Sequence, residues 1–353
     1  EALAIGVENT ETELLWQNGA LPQHPGLINA LAACPDGRYV ASASENEPLV
    51  RVWDAATGAL IKELDIAISD NEVLAFSQPD GEFLALAGDD EIEFWEVADG
   101  QFSPVAEGVI KAPEPDGDLS ETGSDRTPPN YRCMAFSPDG LTLALGDDKG
   151  RLYLWENWRS FEKLPGVPKL ANLHDGRIVD IEYLPGSGAL LASVARGDQT
   201  VKLVDTTTFE VEELAGTPFT RGNQNAQYQS VSFSADGSML AAAGRFLPVT
   251  IWDVASREVE TTLLEKEWRR LTAETVEDKK PETLNFFGYG LAFSQRGALL
   301  AVGWDQTGGD EDPEYYEPTV SVFDLAAGAD SPDPLSNIPV APWAAGLFAF
   351  AHD

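Results

Sequence analysis

A turn of the Ser-Pro-Asp-Gly type recurs along this chain, each time just after a short apolar run. Its copies, some of them degenerate, lie at Pro35–Gly37, Phe76–Gly81, Phe136–Gly140, Leu184–Gly188, Phe233–Gly237 and Phe293–Gly297. In the clearest copy, Leu31–Leu64, four apolar runs of strand length alternate with Gly, Pro, Asp and Asn, which is typical of antiparallel strands joined by tight turns. Because a four-stranded sheet cannot bury both faces alone, the pattern predicts copies that pack on one another.

A second signal repeats in step with the turns. In each copy the third apolar run ends in an apolar, usually aromatic, residue followed by an acid: Trp53-Asp54, Trp95-Glu96, Trp155-Glu156, Val204-Asp205, Trp252-Asp253 and Phe323-Asp324. Most copies are spaced by roughly 40 to 60 residues, as expected for one propeller blade with or without a loop insertion. The two correlated signals make the chain resemble the WD40-repeat family. A β-sandwich with unrelated Ser-Pro-Asp-Gly turns is the alternative fold.

The resemblance implies an all-β fold, a seven-bladed β-propeller built from four-stranded antiparallel blades and forming one domain over residues 1–353. Six blades are predicted at about 27–66, 73–107, 131–173, 178–214, 230–263 and 290–339. The last blade is predicted to be composite, with residues 1–26 supplying later strands and residues 340–353 supplying the first strand. Strand pairing between the two ends would close the ring and leave no free sheet edge.

The charge of the chain is strongly negative. Asp and Glu total 59 against 23 Lys and Arg, for a formal net charge of −36. Such a chain repels phosphate backbones, so nucleic acid is not an expected partner. No apolar run approaches the ~20 residues of a membrane span, so no membrane segment is expected either. Acids occur in every blade, which favours adaptation of a halophilic or salt-tolerant source to high salt over the alternative, an acidic face for a basic partner.

Four insertions interrupt the repeats, at residues 108–130, 216–227, 264–289 and 304–318. By the strand order of the WD40 family, three follow a fourth strand and one follows a second strand, so all four emerge on the same face of the disc. We call this the insertion face, and its opposite, with turns such as Pro35–Gly37, the short-turn face. Because loops carry recognition on repeat scaffolds, the insertion face is predicted to bind a protein or peptide partner.

Aromatic and Arg residues in the insertions are the candidate partner anchors, since these types dominate interface hot spots. They are Trp268, Arg269, Arg270, Trp304, Tyr315 and Tyr316. Each also has a purely structural explanation. Trp268 could hold the amphipathic helix predicted from Leu264 towards Lys280 on the disc, and Trp304 could simply continue a strand.

The histidines suggest a structural network. The resemblance implies a buried set of His, Ser or Thr, Asp and Trp within a blade. In the fourth blade His174, Ser193 and Asp198 match three of these positions, with Val204 in place of the Trp. In the first blade the matching residues are His24, Ser42 and Trp53, with Glu47 in place of the Asp.

Catalysis and metal binding have weaker sequence support. A Ser, His and Asp set also suggests a hydrolase, but no nucleophile elbow, P-loop or metalloprotease motif is present. The acidic loop with Asp310 and Asp312 offers hard oxygen ligands for Ca²⁺, yet it lacks the fixed spacing of a calcium loop. We therefore expect no catalytic residues, no cofactor and no bound metal.

The sequence thus predicts a non-catalytic scaffold for proteins or peptides, monomeric by itself and cytoplasmic. Two other functions stay open. The chain could be the sensor portion of a larger protein, or an enzyme whose site lies at the mouth of the central channel. A periplasmic or secreted location is the alternative to the cytoplasm.

Overall fold

The computed structural model describes most of the chain as strands and tight turns. The described residues are 3–8, 11–17, 28–44, 47–68, 73–112, 128–161, 163–165, 168–214, 226–264, 285–294, 299–307, 319–325 and 334–339. Within them the helical structure is a single 3-10 turn, Trp158–Ser160, and no helix has the length and apolarity needed to cross a bilayer. The secondary structure is all-β, as predicted.

The strands are grouped into antiparallel sheets in chain order. A hairpin comes first, formed by β1 (Leu3–Glu8) and β2 (Glu11–Gln17). Blade 1 contains β3 (Ile28–Ala33), β4 (Tyr39–Ser44), β5 (Leu49–Asp54) and β6 (Leu60–Asp65). Blade 2 contains β7 (Val73–Phe76), β8 (Phe83–Gly88), β9 (Glu91–Ala98) and β10 (Gln101–Lys111).

The third and fourth sheets repeat this order. Blade 3 contains β11 (Tyr131–Phe136), β12 (Thr142–Asp147) and β13 (Leu152–Glu156). Its outer position is taken by a single bridge, in which Leu152 and Leu170 exchange backbone hydrogen bonds of 2.9 and 3.2 Å. Blade 4 contains β14 (Ile178–Tyr183), β15 (Leu190–Ala195), β16 (Val201–Asp205) and β17 (Val211–Leu214).

The last two blades are linked by one backbone bridge. Blade 5 contains β18 (Gln227–Phe233), β19 (Met239–Arg245), β20 (Leu247–Asp253) and β21 (Val259–Leu263). Blade 6 contains β22 (Asn285–Phe293), β23 (Leu299–Thr307), β24 (Thr319–Asp324) and β25 (Ser336–Pro339). Pairing of Arg245 with Phe287 joins them into a continuous sheet.

The first strands of the blades surround a common centre. Each first strand contacts that of the next blade, from β3 to β7, β11, β14, β18 and β22 in turn. All six of these strands also line one cavity of about 620 Å³, to which they contribute Leu31, Leu74, Phe136, Glu182, Phe233 and Phe293. This is the radial arrangement of a β-propeller, and the cavity is its central channel. Because the lining residues lie where first strands end, the cavity is on the short-turn face.

The apolar core lies between blades rather than within them. Each of five buried clusters combines side chains from two consecutive blades, from blades 1 and 2 through to blades 5 and 6. Fully buried alanines such as Ala41, Ala85 and Ala144 on the second strands let neighbouring sheets approach closely. The fold is therefore stabilised by packing between neighbouring blades, as the repeats predict.

An aromatic cluster strengthens the junction of blades 2 and 3. Trp158, with 0% of its surface exposed, stacks on Phe94 with ring centres 5.6 Å apart and lies 4.7 Å from Phe136. Its indole N–H donates to the carbonyl oxygen of Gly140 at 3.1 Å. Truncating a buried Trp of this kind typically costs about 3–5 kcal/mol, so this junction is a strong one.

The recurring Asp-Gly turns make the short-turn face rigid. In blade 3, Ser137 Oγ donates to Asp139 at 2.6 Å, and the same carboxylate oxygen accepts the backbone N–H of Leu141 at 3.0 Å. Gly140 has φ of +71°, and a Cβ there would lie 2.4 Å from the carbonyl oxygen of Gln78 in blade 2. The glycine is therefore required both by the turn and by the close approach of the neighbouring blade.

The all-β propeller with four-stranded antiparallel blades is confirmed, and six blades lie within the described residues. The structure describes only part of the predicted composite blade. Strands β1 and β2 form a hairpin, and residues 340–353 are outside the described part of the chain. The helix predicted from Leu264 towards Lys280 also lies outside it, except for Leu264 itself.

Candidate functional site

The insertion face is defined by where strands end. In an antiparallel blade, the second and fourth strands end on the same face, where the third strand and the next first strand begin. The connections from β10 to β11, β17 to β18, β21 to β22 and β23 to β24 are therefore on one side of the disc. Most residues of the four insertions lie outside the described part of the chain, but the strand ends that flank the insertions lie within it.

Among the predicted anchors, Trp304 is the one that the structure describes. It is half-buried on β23, and its indole N–H donates to Ser321 Oγ at 2.8 Å. Ser321 in turn donates to Asn337 Oδ1 at 2.5 Å, so Trp304 is tied into blade 6. The other predicted anchors and the acidic loop lie outside the described residues: Trp268, Arg269, Arg270, Tyr315, Tyr316, Asp310 and Asp312.

The structure brings the predicted residues of blade 4 together. His174 Nδ1 lies 2.7 Å from Asp198 Oδ2, and its Nε2 lies 2.9 Å from Ser193 Oγ. His174 is 2% exposed and Ser193 is fully buried, so the set is inside the blade. Burial works to raise the pKa of Asp198, but the His174 hydrogen bond and the charges of His174 and Lys202 hold this pKa below its ordinary value. A carboxylate therefore fixes the imidazole, and the Ser hydroxyl has no path to solvent.

In blade 1 the corresponding set is only partly described. The indole N–H of Trp53 donates to Ser42 Oγ at 2.8 Å, and both residues are buried. Glu47 accepts two hydrogen bonds from Arg51, at 2.7 and 2.8 Å, which makes it part of an ion pair. His24 lies outside the described residues.

A pair of acids between the first strands of blades 4 and 5 is a feature that the sequence did not reveal. Asp180 and Glu182 are on the first strand of blade 4 and point towards the first strand of blade 5. The backbone N–H of Val231 donates to Asp180 Oδ2 at 2.9 Å, and that of Phe233 donates to Glu182 Oε2 at 3.0 Å. Ser230 Oγ adds a second bond to Asp180 Oδ2 at 3.0 Å. The two carboxylates thus clasp the open edge of the next strand, and we call them the carboxylate clasp.

Among the six described blades, blade 4 alone has two acids at these positions. The equivalent positions in the other blades are small or apolar: Ala30 and Ala32, Val73 and Ala75, Cys133 and Ala135, Ser230 and Ser232, Gly290 and Ala292. In the sequence the signal was a pair of acids in Ile178–Tyr183, a run otherwise typical of a buried strand. Strand pattern alone could not show that these acids face a neighbouring strand edge.

Burial controls the protonation of the clasp. It raises the pKa of Asp180 to about 6, against hydrogen bonds that lower it. It raises the pKa of Glu182 to about 8, with a further contribution from the negative charge of Asp180. Other titratable groups near β14 include Arg177, Asp139, which faces Tyr183, and Cys133, whose pKa burial raises well above its ordinary value.

We predict a pH dependence of stability that the clasp causes. Since both folded-state pKa values are raised, the clasp contributes most to the free energy of unfolding below the ordinary carboxyl pKa of ~4. That contribution is lost as pH rises through about 6 and then about 8. In Glu182→Gln the loss should be smaller, with a difference in slope of up to ~1.4 kcal/mol per pH unit.

Urea denaturation at pH values from 5 to 9 measures this difference. Glu213→Gln is the matched control, since Glu213 is exposed on the outer strand of the same blade. Parallel stability curves for Glu182→Gln and wild type would contradict the prediction.

A second prediction concerns the His174 set. His174→Ala and Ser193→Ala should each lower the free energy of unfolding by ~1–3 kcal/mol, because each leaves buried polar partners unsatisfied. The double variant should cost less than the sum of the two, since the second change removes a group that has already lost its partner. Additive losses in the same urea titrations would show that the two side chains do not act as a unit.

Comparison with known proteins finds WD-repeat relatives. The sequence profile of the family described as "WD domain, G-beta repeat" matches residues 16–54 and 116–156. Among curated proteins, "Echinoderm microtubule-associated protein-like 3" of Mus musculus is 26% identical over 213 residues, covering 56% of this chain and 22% of that protein. "WD repeat-containing protein 18" of Danio rerio is 26% identical over 246 residues, covering 68% of this chain and 53% of that protein.

A third relative has the same kind of repeat. "WD repeat-containing protein VIP3" of Arabidopsis thaliana is 30% identical over 169 residues, covering 45% of this chain and 50% of that protein. The matches thus span from 22% to 53% of the lengths of these relatives. Together with the repeated turns, the Trp-Asp ends and the radial sheets, they show that the chain is similar to WD40 repeat proteins in both sequence and fold.

Proposed function

We propose that this chain is a non-catalytic scaffold that binds protein or peptide partners through its insertion face. The observation that carries the proposal is the asymmetry between the two faces. All four connections that bear insertions leave from one face. Among the described residues of the opposite face, the turns from first to second strands are tight and fixed by Ser, Asp and Gly, as at Ser137–Gly140. Variable loops on a rigid support are the usual means by which repeat proteins recognise partners.

The relatives support the general class but not a particular partner. One of them is described by its name as microtubule-associated, and the chain matches 22% of that protein. We therefore carry over only the idea of protein binding. Within the insertion face, Trp268, Arg269, Arg270, Tyr315 and Tyr316 remain the proposed anchors, because desolvated aromatic and Arg side chains supply most interface affinity. Trp304 has weaker support, because its indole N–H is used within blade 6.

The positions of His174, Ser193 and the clasp carboxylates favour a scaffold over an enzyme. Ser193 is fully buried beside His174, so a substrate carbonyl has no route to its hydroxyl. Between blades 4 and 5, the clasp carboxylates accept hydrogen bonds from backbone N–H groups, which stabilises the edge of β18. A channel-mouth enzyme would need an accessible base and nucleophile, and the described residues of the channel place no histidine there.

We also propose that the ring closes with a seventh, composite blade. The antiparallel pairing of β1 with β2 supports this, since the hairpin supplies two strands of the expected sheet. A first strand from residues 340–353 and a fourth strand near residue 20 would complete it. A monomeric, cytoplasmic protein remains part of the proposal.

Affinity capture at the salt concentration of the source tests the binding face. We compare the intact chain with a variant whose four insertions are shortened to tight turns. A partner should bind the intact chain and be lost by the shortened one, because the anchors are removed while the blades remain. Leu141→Ser is the matched control, since Leu141 is 67% exposed on the short-turn face. Equal capture by the intact and shortened chains would place binding elsewhere.

We further propose that the acidic surface adapts the protein to high salt. With a net charge of −36, surface repulsion opposes folding and is screened by added ions. The melting temperature should therefore rise as KCl is raised from 0.1 M to molar concentration. A variant with Glu96, Glu156, Glu213 and Glu258 changed to Gln, all exposed positions, should show a smaller rise. A melting temperature that falls with KCl would contradict the proposal.

A further inference from the structure

The outer edge of blade 3 is open over most of its length within the described part of the chain. In blades 1, 2, 4, 5 and 6 the fourth strand pairs with at least four residues of the third strand. In blade 3 this pairing is a single bridge between Leu152 and Leu170, at the end of β13 nearer the insertion face. The described residues of blade 3 therefore supply the last position of a fourth strand but not the preceding ones.

The open edge of β13 presents backbone groups that have no partner in the described part of the chain. The carbonyl oxygen of Arg151 accepts a hydrogen bond from the end of β12 at 3.2 Å, so odd-numbered residues of β13 direct their backbone groups towards β12. Leu152, Leu154 and Glu156 direct theirs outwards. Leu152 exchanges its bonds with Leu170. No described residue forms a backbone hydrogen bond with Leu154 or Glu156 on the outer side.

The edge is open because the chain that follows β13 packs elsewhere. After Glu156 the chain turns away at Asn157, which has φ of +60°. It then places Trp158 and Leu164, each 0% exposed, in the cluster between blades 2 and 3. Where the chain returns to the edge, Pro168 has no N–H with which to extend the pairing. The aromatic junction of blades 2 and 3 is thus formed by residues that occupy the place of a fourth strand in the sequence.

The Lys169 side chain lies along the open edge. Its backbone N–H bonds to the carbonyl oxygen of Leu152 at 2.9 Å, and its Nζ is 4.0 Å from Glu156 Oε1. It therefore passes Leu154, which is 5% exposed. Lysines commonly protect sheet edges from pairing with other chains. Because an ion pair between two exposed side chains contributes little to stability, Lys169 can exchange Glu156 for another acid.

The surroundings of this edge are basic in an otherwise acidic chain. Residues 157–170 contain three cations, Arg159, Lys163 and Lys169, and one acid, Glu162. Arg159 is paired with acids of blade 2, whereas Lys163 is exposed and forms no ion pair with a described residue. The outer strands of blades 4 and 5 have three acids and no Lys or Arg. The open edge therefore attracts an acidic segment more strongly than a basic one.

We propose that the outer edge of β13 binds an extended, acidic segment of a partner protein, which adds to blade 3 as a fourth strand. The backbone of the segment pairs with Leu154 and Glu156, as in other cases of strand addition. Lys169 moves from Glu156 to an acid of the segment, and Lys163 attracts a second acid.

The complete blades show what such a segment requires. The residue that corresponds to Leu154 is Val52 in blade 1 and Leu203 in blade 4, and their partners on the fourth strand are Lys62 and Glu212. Since both partners are polar, a fourth strand of this fold is accepted largely through its backbone. The edge is on the rim of the disc, so it is separate from the proposed site on the insertion face.

Amide hydrogen exchange tests whether the edge is open. In the free chain the N–H groups of Leu154 and Glu156 should exchange at least a hundredfold faster than those of Tyr153 and Trp155, which bond to β12. Equal protection of all four amides in the free chain would show that the edge is already paired and would overturn the proposal.

Calorimetry with a blocked hexapeptide of alternating Glu and Val tests the partner chemistry. We expect one peptide per chain and at least a tenfold weaker affinity when Gln replaces each Glu. N-methylation of one alternate set of amides should abolish binding and that of the other set should not, because one edge of the segment faces β13. Equal affinity of the Gln peptide would overturn the acidic assignment, and equal effects of the two N-methylated peptides would overturn strand addition.

A matched pair of variants at Glu156 separates the backbone from the charge. Glu156→Pro removes an outward N–H that no described residue accepts, and proline is tolerated on an edge strand, so its melting temperature should stay near that of wild type. It should bind the peptide at least tenfold more weakly. Glu156→Gln keeps the N–H and removes a repulsive charge, so it should bind at least as tightly as wild type. Equal affinities of the two variants would overturn the proposal.

Two further arms test the charge and the source of the segment. Lys163→Gln should weaken peptide binding several-fold, whereas Lys149→Gln, the same change at an exposed position of the same blade, should not. Equal effects would overturn the role of Lys163. Dimerisation of the free chain that Glu156→Pro abolishes would assign the edge to a second copy and overturn the assignment to a partner. The chain with shortened insertions should bind the peptide like the intact chain, so the two proposed sites can fail independently.

Discussion

Each blade of this protein depends on its neighbours, because a four-stranded sheet has two apolar faces and can bury neither by itself. The buried clusters show how the problem is solved: every one of them is shared by two consecutive blades. Alanines on the second strands, such as Ala85, set how closely the sheets approach. The junction of blades 2 and 3 adds the Trp158 cluster on top of this common packing. Stability is therefore a property of junctions, and a weak junction cannot be compensated within a blade.

Radial packing buries the faces of the sheets but leaves the inner edge of each first strand at the channel. In an edge strand, alternate N–H groups point away from the sheet and need acceptors. Between blades 4 and 5 the clasp supplies these acceptors directly, to the N–H groups of Val231 and Phe233. The clasp has an electrostatic cost, because Asp180 and Glu182 replace the small or apolar residues found at the same positions of the other described blades.

The sequence was sufficient for features that repeat and insufficient for those that occur once. The turns and Trp-Asp ends gave six blades because six copies support one another. The geometry of His174 with Asp198 and Ser193 could be anticipated because the family resemblance supplied the positions. Trp158 could not, since it follows a strand in a single 3-10 turn and no periodicity marks it. The clasp was also missed, because an alternating strand pattern says which face a residue takes but not which neighbouring edge it meets. The anchors in the insertions, Trp268 among them, stay predictions.

Strand β14 relates the two faces of the disc. It begins at the insertion face with Ile178 and ends at the short-turn face with Tyr183, a length of ~17 Å at 3.3 Å per residue. A group bound on the insertion face and a group at the channel beside Tyr183 would therefore be too far apart to touch. Any coupling between them would have to pass through β14, which is held by β15 along its length and by β18 through the clasp. A strand that is fixed on both sides has no second conformation to adopt. This geometry therefore connects the two faces rigidly but does not favour energetic coupling between them. A change at one face of the disc is therefore not expected to alter affinity at the other face.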